Sequence, residues 1–191
     1  MRTVILTGAA LVIAAAASVT ESDAAVTVLG GGLARSCFEY AEFGGETTEG
    51  IATCTTAIEE TALAGKDLAA TYINRGILKS RSDRPELALE DYDKGISIDA
   101  NLGEAYVDRG VVMIVMQRYE EALTDIDKGI AIGFDRMQIA YYDRSIADEA
   151  LGNIRAAYED CRKAVELQPD FAIAQQRLTR FRIIHNSSDG T

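Results

Sequence analysis

A stretch of 34 residues recurs along this chain, and that period constrains the fold more than anything else in the sequence. Tyr72-Ile73-Asn74-Arg75-Gly76 returns as Tyr106-Val107-Asp108-Arg109-Gly110, then as Tyr141-Tyr142-Asp143-Arg144-Ser145. Asp91-Tyr92-Asp93-Lys94-Gly95-Ile96 returns as Asp125-Ile126-Asp127-Lys128-Gly129-Ile130, then as Asp160-Cys161-Arg162-Lys163-Ala164-Val165. The third copy arrives one residue late, which places an extra residue between Gly133 and Met137. A unit this short cannot bury its own apolar face, so it must stack on its neighbours.

Within a unit the apolar residues have helical spacing, as in Ala88, Leu89, Tyr92 and Ile96. Breakers separate two such stretches, so each unit reads as two antiparallel helices. Asp83-Arg84-Pro85-Glu86 reads as a helix start, with Asp83 as the N-cap and Pro85 in the first turn. Gly76, Gly110 and Ser145 fall on first helices, and Ala88, Ala122 and Ala157 on second helices. Small side chains at facing places let helix backbones approach. Gly95, Gly129 and Ala164 are expected to do the same against the next unit. A helical Gly costs about 1 kcal/mol relative to Ala, so its recurrence calls for a packing reason.

The period, the small residues at the eighth, twentieth and twenty-seventh places and Pro169 at the thirty-second resemble tetratricopeptide repeats. Three units match: 69–102, 103–136 and 138–171. They depart from the pattern in two ways. Tyr72, Tyr106 and Tyr141 stand where Trp is usual, and Ala100 and Phe134 stand where Pro closes a unit. The resemblance implies an all-α, right-handed solenoid of antiparallel helix hairpins. Residues 172–184 continue in helical period with Gln and Arg on one face, as a capping helix needs. Residues 185–191 read as a disordered tail, and the sequon Asn186-Ser187-Ser188 as a chance match.

The resemblance also implies a concave groove lined by first helices. By position it would comprise Ile73, Asn74, Ile77, Val107, Asp108, Val111, Ile114, Tyr142, Asp143 and Ile146. It reads as apolar with Asn and Asp at its edges, suited to an extended or helical peptide. The Lys/Asn/Arg set with which some family members clamp a C-terminal carboxylate is missing.

Upstream of the repeats the sequence changes character. Met1-Arg2 precedes an uncharged run from Thr3 to Thr20, the pattern of an export signal spanning residues 1–24. Ser22-Asp23-Ala24 supports a cut after Ala24; Ala15-Ala16-Ala17 supports an earlier one. An uncleaved membrane anchor is the competing reading, and a lipoprotein is not, because Cys37 lies too far on. Residues 25–32 read as an extended, flexible arm, the alternative being an arm that docks on the solenoid. Residues 33–66 read as a divergent helix hairpin, with helices over 33–43 and 48–62 and a link at Ala64-Gly65-Lys66. Cys37 and Cys54 fall on its two helices. In an exported protein they are expected to form a disulfide worth about 3 kcal/mol. Cys161 occupies a core place and reads as a buried thiol.

Arg75, Arg109 and Arg144 share one place in the repeat, and Asp91, Asp125 and Asp160 share another. Constant offset predicts three ion pairs, Arg75–Asp91, Arg109–Asp125 and Arg144–Asp160, in preference to an anion-binding row. The formal net charge of −11 argues against nucleic acid as a partner. One histidine, His185, lies near the end, and no Cys/His cluster or phosphate loop occurs, so no catalytic residue, metal or cofactor is expected. The sequence therefore reads as a non-enzymatic scaffold of the cell envelope, periplasmic or secreted, with a protein or peptide partner. With the signal removed, no membrane insertion is expected. An accessory domain of an envelope enzyme and a small-ligand or cell-wall-associated solenoid are the alternatives.

Overall fold

A computed structural model of the chain describes residues 24–28 and 31–188. The expected signal, apart from Ala24, lies outside them, as do residues 189–191. The described residues form helices and connections. These are α1 (Leu33–Phe43), α2 (Thr47–Glu60), α3 (Gly65–Arg81), α4 (Pro85–Ile98), α5 (Gly103–Val115), α6 (Tyr119–Ile132), α7 (Met137–Ala150), α8 (Ile154–Leu167) and α9 (Ala172–Ser188). They pair as hairpins α1/α2, α3/α4, α5/α6 and α7/α8, each stacked on the next, with α9 closing the end. The chain is an all-helical solenoid. Gly65 and Lys66, expected in a link, begin α3 instead. The expected tail is helical through Ser188.

The turns inside the three repeat units share one device. Asp83, Gln117 and Gly152 adopt positive φ (57°, 61° and 80°). Each reverses the chain so that the next amide reaches back to a carbonyl of the preceding helix. Arg84 N–H donates to Lys79 O, Arg118 N–H to Met113 O and Asn153 N–H to Asp148 O, at 3.1, 2.8 and 2.8 Å. Asp83 is thus a left-handed turn residue and not the expected N-cap. Arg84 holds the cap place, with no side-chain bond to the helix. The late arrival of the third copy is absorbed at a helix start. α7 has 14 residues against 13 in α5, and the extra one is Met137.

Glycine explains how closely the hairpins pack. A Cβ on Gly76 would stand 2.9 Å from the Tyr92 ring, and one on Gly110 2.7 Å from Ile126. A Cβ on Gly95 would stand 2.7 Å from Ile73, and one on Gly129 2.8 Å from the Gly103 carbonyl. These are contacts with the first helix of the same unit. The expectation that Gly95 and Gly129 pack on the next unit is therefore corrected: both ends of the crossing are stripped, so one hairpin closes on itself.

Between hairpins the arginines take over. Arg75 grips Asp91 with Nε and Nη2, both at 2.8 Å. Arg109 grips Asp125 at 2.6 and 2.8 Å, and Arg144 grips Asp160 at 2.7 Å twice. The remaining nitrogen, Nη1, reaches the second helix of the preceding unit. It donates to Thr55 Oγ1 at 3.1 Å, Asp93 Oδ1 at 2.6 Å and Asp127 Oδ1 at 2.5 Å respectively. Each guanidinium also lies over the tyrosine three residues before it, 5.2–5.6 Å from the ring centre. The planar fork makes one residue serve two helices of its own unit and one of the last.

Cys37 and Cys54 form a disulfide that joins α1 to α2. Cys161 is buried against α9, with its thiol donating to Ala174 O at 3.2 Å. Burial pushes that thiol up to about 11.

Two outcomes test this account. Arg109→Ala leaves the buried Asp125 without its counter-ion and should cost about 3 kcal/mol, a fall in Tm of about 6–12 °C. Asp93→Asn removes a carboxylate that is 64% exposed and should cost less than about 1 kcal/mol. Equal thermal shifts in circular dichroism would contradict that ranking. Thiol counting with iodoacetamide near pH 8 should find no reactive cysteine in the folded chain, one after denaturation, and three after reduction as well.

Candidate functional site

Residues 24–28 lie extended across the first helices, and they define the site. Val28 is 1% exposed, packed with Ala34 and Phe38 of α1, Ala57 of α2 and Ala70 of α3. Two residues back, Val26 meets α3. Its N–H donates to Asn74 Oδ1 at 2.8 Å, and its C=O accepts from Asn74 Nδ2 at 2.9 Å. Two residues further back, the Ala24 N–H donates to Asp108 Oδ1 of α5 at 3.2 Å. Ala24 is itself buried, in a cluster with Val107, Phe134, Ile139 and Ala140. From its N-terminal end the arm thus runs from α7 toward α1, against the order of the repeats. Of residues 25–32, expected to be flexible, 25–28 are docked, because Val28 and the preceding Ala24 each find an apolar seat and Asn74 takes both polar groups of Val26 between them.

The residues expected to line the groove divide by chemistry. Asn74 and Asp108 are fully buried beside the arm, one in each of two successive units. Asp143 takes the same place in the third unit and is 5% exposed. The polar residues expected at the groove's edges are therefore its floor. Some of the apolar residues turn elsewhere. Ile73 and Ile77 belong to the core between α3 and α4, with Ala88 and Tyr92. Val107 closes on Gly129 across α5 and α6 while also joining the cluster around Ala24. Val111 is buried on α5 and Ile146 half-buried on α7. Ile114 packs beside Met113, Ala122 and Ala147 and also against the cluster around Ala24. Tyr142 is covered from the C-terminal side, edge-on to Phe171 and under the Arg177 guanidinium of α9.

The shift of the apolar set has a geometric cause. A first helix has a stripe facing its own second helix and another facing the groove, about 100° apart per residue step. Ile73 and Asn74 are consecutive, so when Ile73 points at Gly95, Asn74 points at the arm. Sequence reasoning missed Ala70 and Phe134 as arm contacts. The only signal for them was Val26-Thr27-Val28, an alternation that needs two buried seats on one side.

A carboxamide is suited to this task. It offers an acceptor and a donor about as far apart as the N–H and C=O of one extended residue, so it reads backbone without regard to side chain. Among the described residues no group of His, Cys, Asp and Glu is arranged to hold a metal ion. No helix described is long and apolar enough to cross a membrane.

Residues 139–171 match the family model of the tetratricopeptide repeat. No curated protein matches the chain in sequence. Among solved structures, it is similar to MamA from Desulfovibrio magneticus RS-1 at 19% identity and a TM-score of 0.66, over 82% of this chain and 87% of that one. It is similar to the first such domain of Spaghetti (RPAP3), bound to the HSP90 peptide SRMEEVD, at 20% and 0.61, over 64% and 99%. The second domain of human RPAP3, in complex with the HSP70 peptide SGPTIEEVD, is similar at 25% and 0.56, over 60% and 94%. Residues 139–171 fit the sequence pattern of the tetratricopeptide repeat, and the stacked hairpins have the fold of the tetratricopeptide repeat domains they resemble.

Proposed function

We propose that this chain is a non-enzymatic interaction module, exported to the periplasm or beyond, that holds an extended segment of a partner protein across its first helices. The observation that carries this is the pair of bonds from Asn74 to the backbone of Val26. A face that already binds one extended strand through its main chain has the chemistry to bind another. The two RPAP3 domains are described with peptides bound, which supports the same use of the fold.

A binding role also suits the titratable groups. The repeated arginines and aspartates are committed to one another, and the free thiol is buried and hard to ionise. Export rests on the leader-like residues 1–24 and agrees with a disulfide in the first hairpin. The acidity of the chain favours a partner that is neutral or basic over nucleic acid.

Selection of displayed peptides against the immobilised chain is the direct test. It should enrich segments with apolar residues at alternate positions. Their affinity should fall at least tenfold on Asn74→Ala, since two hydrogen bonds of about 1 kcal/mol each are lost. Enrichment of nothing, or of peptides indifferent to Asn74→Ala, would overturn the reading. Intact-mass measurement of the secreted chain should show Ala25 as the first residue.

A further inference from the structure

We propose that the arm is the groove's built-in ligand: residues 24–28 are the chain's own copy of the segment the groove recognises, and a partner binds by displacing them. The proposal rests on the groove reading above and adds the ligand's chemistry and the control of the site.

The seats specify that chemistry. The Ala24 seat, walled by Phe134, Ile139 and Ala140, is filled by a single methyl group. The Val28 seat, walled by Ala34, Phe38, Ala57 and Ala70, takes a β-branched side chain and leaves it 1% exposed. Between them, Val26 is held through its backbone and only partly covered, and Thr27 faces solvent. The recognised pattern is a small residue, a partly covered residue, a partly covered residue clamped through its backbone, one exposed position, and a Val-sized residue. The strand runs with its N-terminal end toward α7. No charge is demanded of it except where a donor meets Asp108.

The arm is placed to compete and built to leave. It is joined to α1 through Gly31 and Gly32, both exposed; Gly32 has φ +71°, and a Cβ on either would meet nothing within 4 Å. The backbone of these glycines is open to conformations other residues avoid. A tether this short holds the arm at a millimolar effective concentration, so a separate strand must outbid it. A cut after Ala24 would remove the Asp108 contact and leave Val26 and Val28 as the anchors, so processing would loosen the arm without freeing it.

The test uses a fluorescently labelled, N-acetylated peptide of residues 23–31 as probe, with anisotropy measured on the full chain. Val28→Asp unseats the arm, and Val26→Pro removes the N–H that Asn74 accepts while keeping an extended backbone. Both variants should bind the probe at least tenfold more tightly than the parent chain. Adding Asn74→Ala should abolish that gain, and a probe carrying Val28→Asp should not bind. Equal binding by parent and arm variants would overturn the proposal. So would no binding by arm variants that melt like the parent, or binding that survives Asn74→Ala. Because the probe is the arm itself, these outcomes do not depend on whether peptide selection finds a partner.

Discussion

The arginine at the seventh place of each repeat is the interaction on which the rest of the solenoid depends. A hairpin of two short helices is marginal alone. Arg75, Arg109 and Arg144 each bind a carboxylate on the second helix of their own unit and a polar oxygen on the second helix of the unit before. Spacing within a hairpin and stacking between hairpins are thus set by one side chain. The tyrosine beneath each guanidinium fixes its plane, which is a reason for Tyr to serve where the family more often has Trp. At the first hairpin Thr55 receives the third donor. A neutral hydroxyl is a weaker acceptor than a carboxylate, and this is the hairpin that carries the disulfide.

Once the spacing is set, the first helices present a repeated place to one common face. Asn74, Asp108 and Asp143 occupy it. Buried polar groups are costly unless bonded, and at Asn74 and Asp108 backbone groups of the arm contribute such bonds. The structure of the groove and the seating of the arm are therefore one problem, solved together.

Much of this was legible in residue order. The period revealed the hairpins, and the constant offset between Arg and Asp revealed the pairs, because both are properties of a repeated unit and survive translation along the array. Cys37 and Cys54 could be matched because one turn separates their helices. The docked arm was not legible in this way. Val26-Thr27-Val28 suits an extended strand anywhere, and nothing in its own sequence says which surface has two seats at the right separation. The division of the groove residues between two faces was not legible for a related reason. Ile73 and Asn74 differ by one helical step, and periodicity alone does not say which of two stripes faces the partner helix.

The sequence by itself determined the architecture: a 34-residue period, small residues where helices cross and charges that recur in step leave little but a stack of helix hairpins. The tertiary structure alone decided which face is polar, where Gly95 and Gly129 close, and what lies in the groove. Those depend on the rotation of each helix about its axis and on contacts between residues far apart in the chain, such as Val26 and Asn74. No local pattern encodes that rotation; it is settled when whole helices pack.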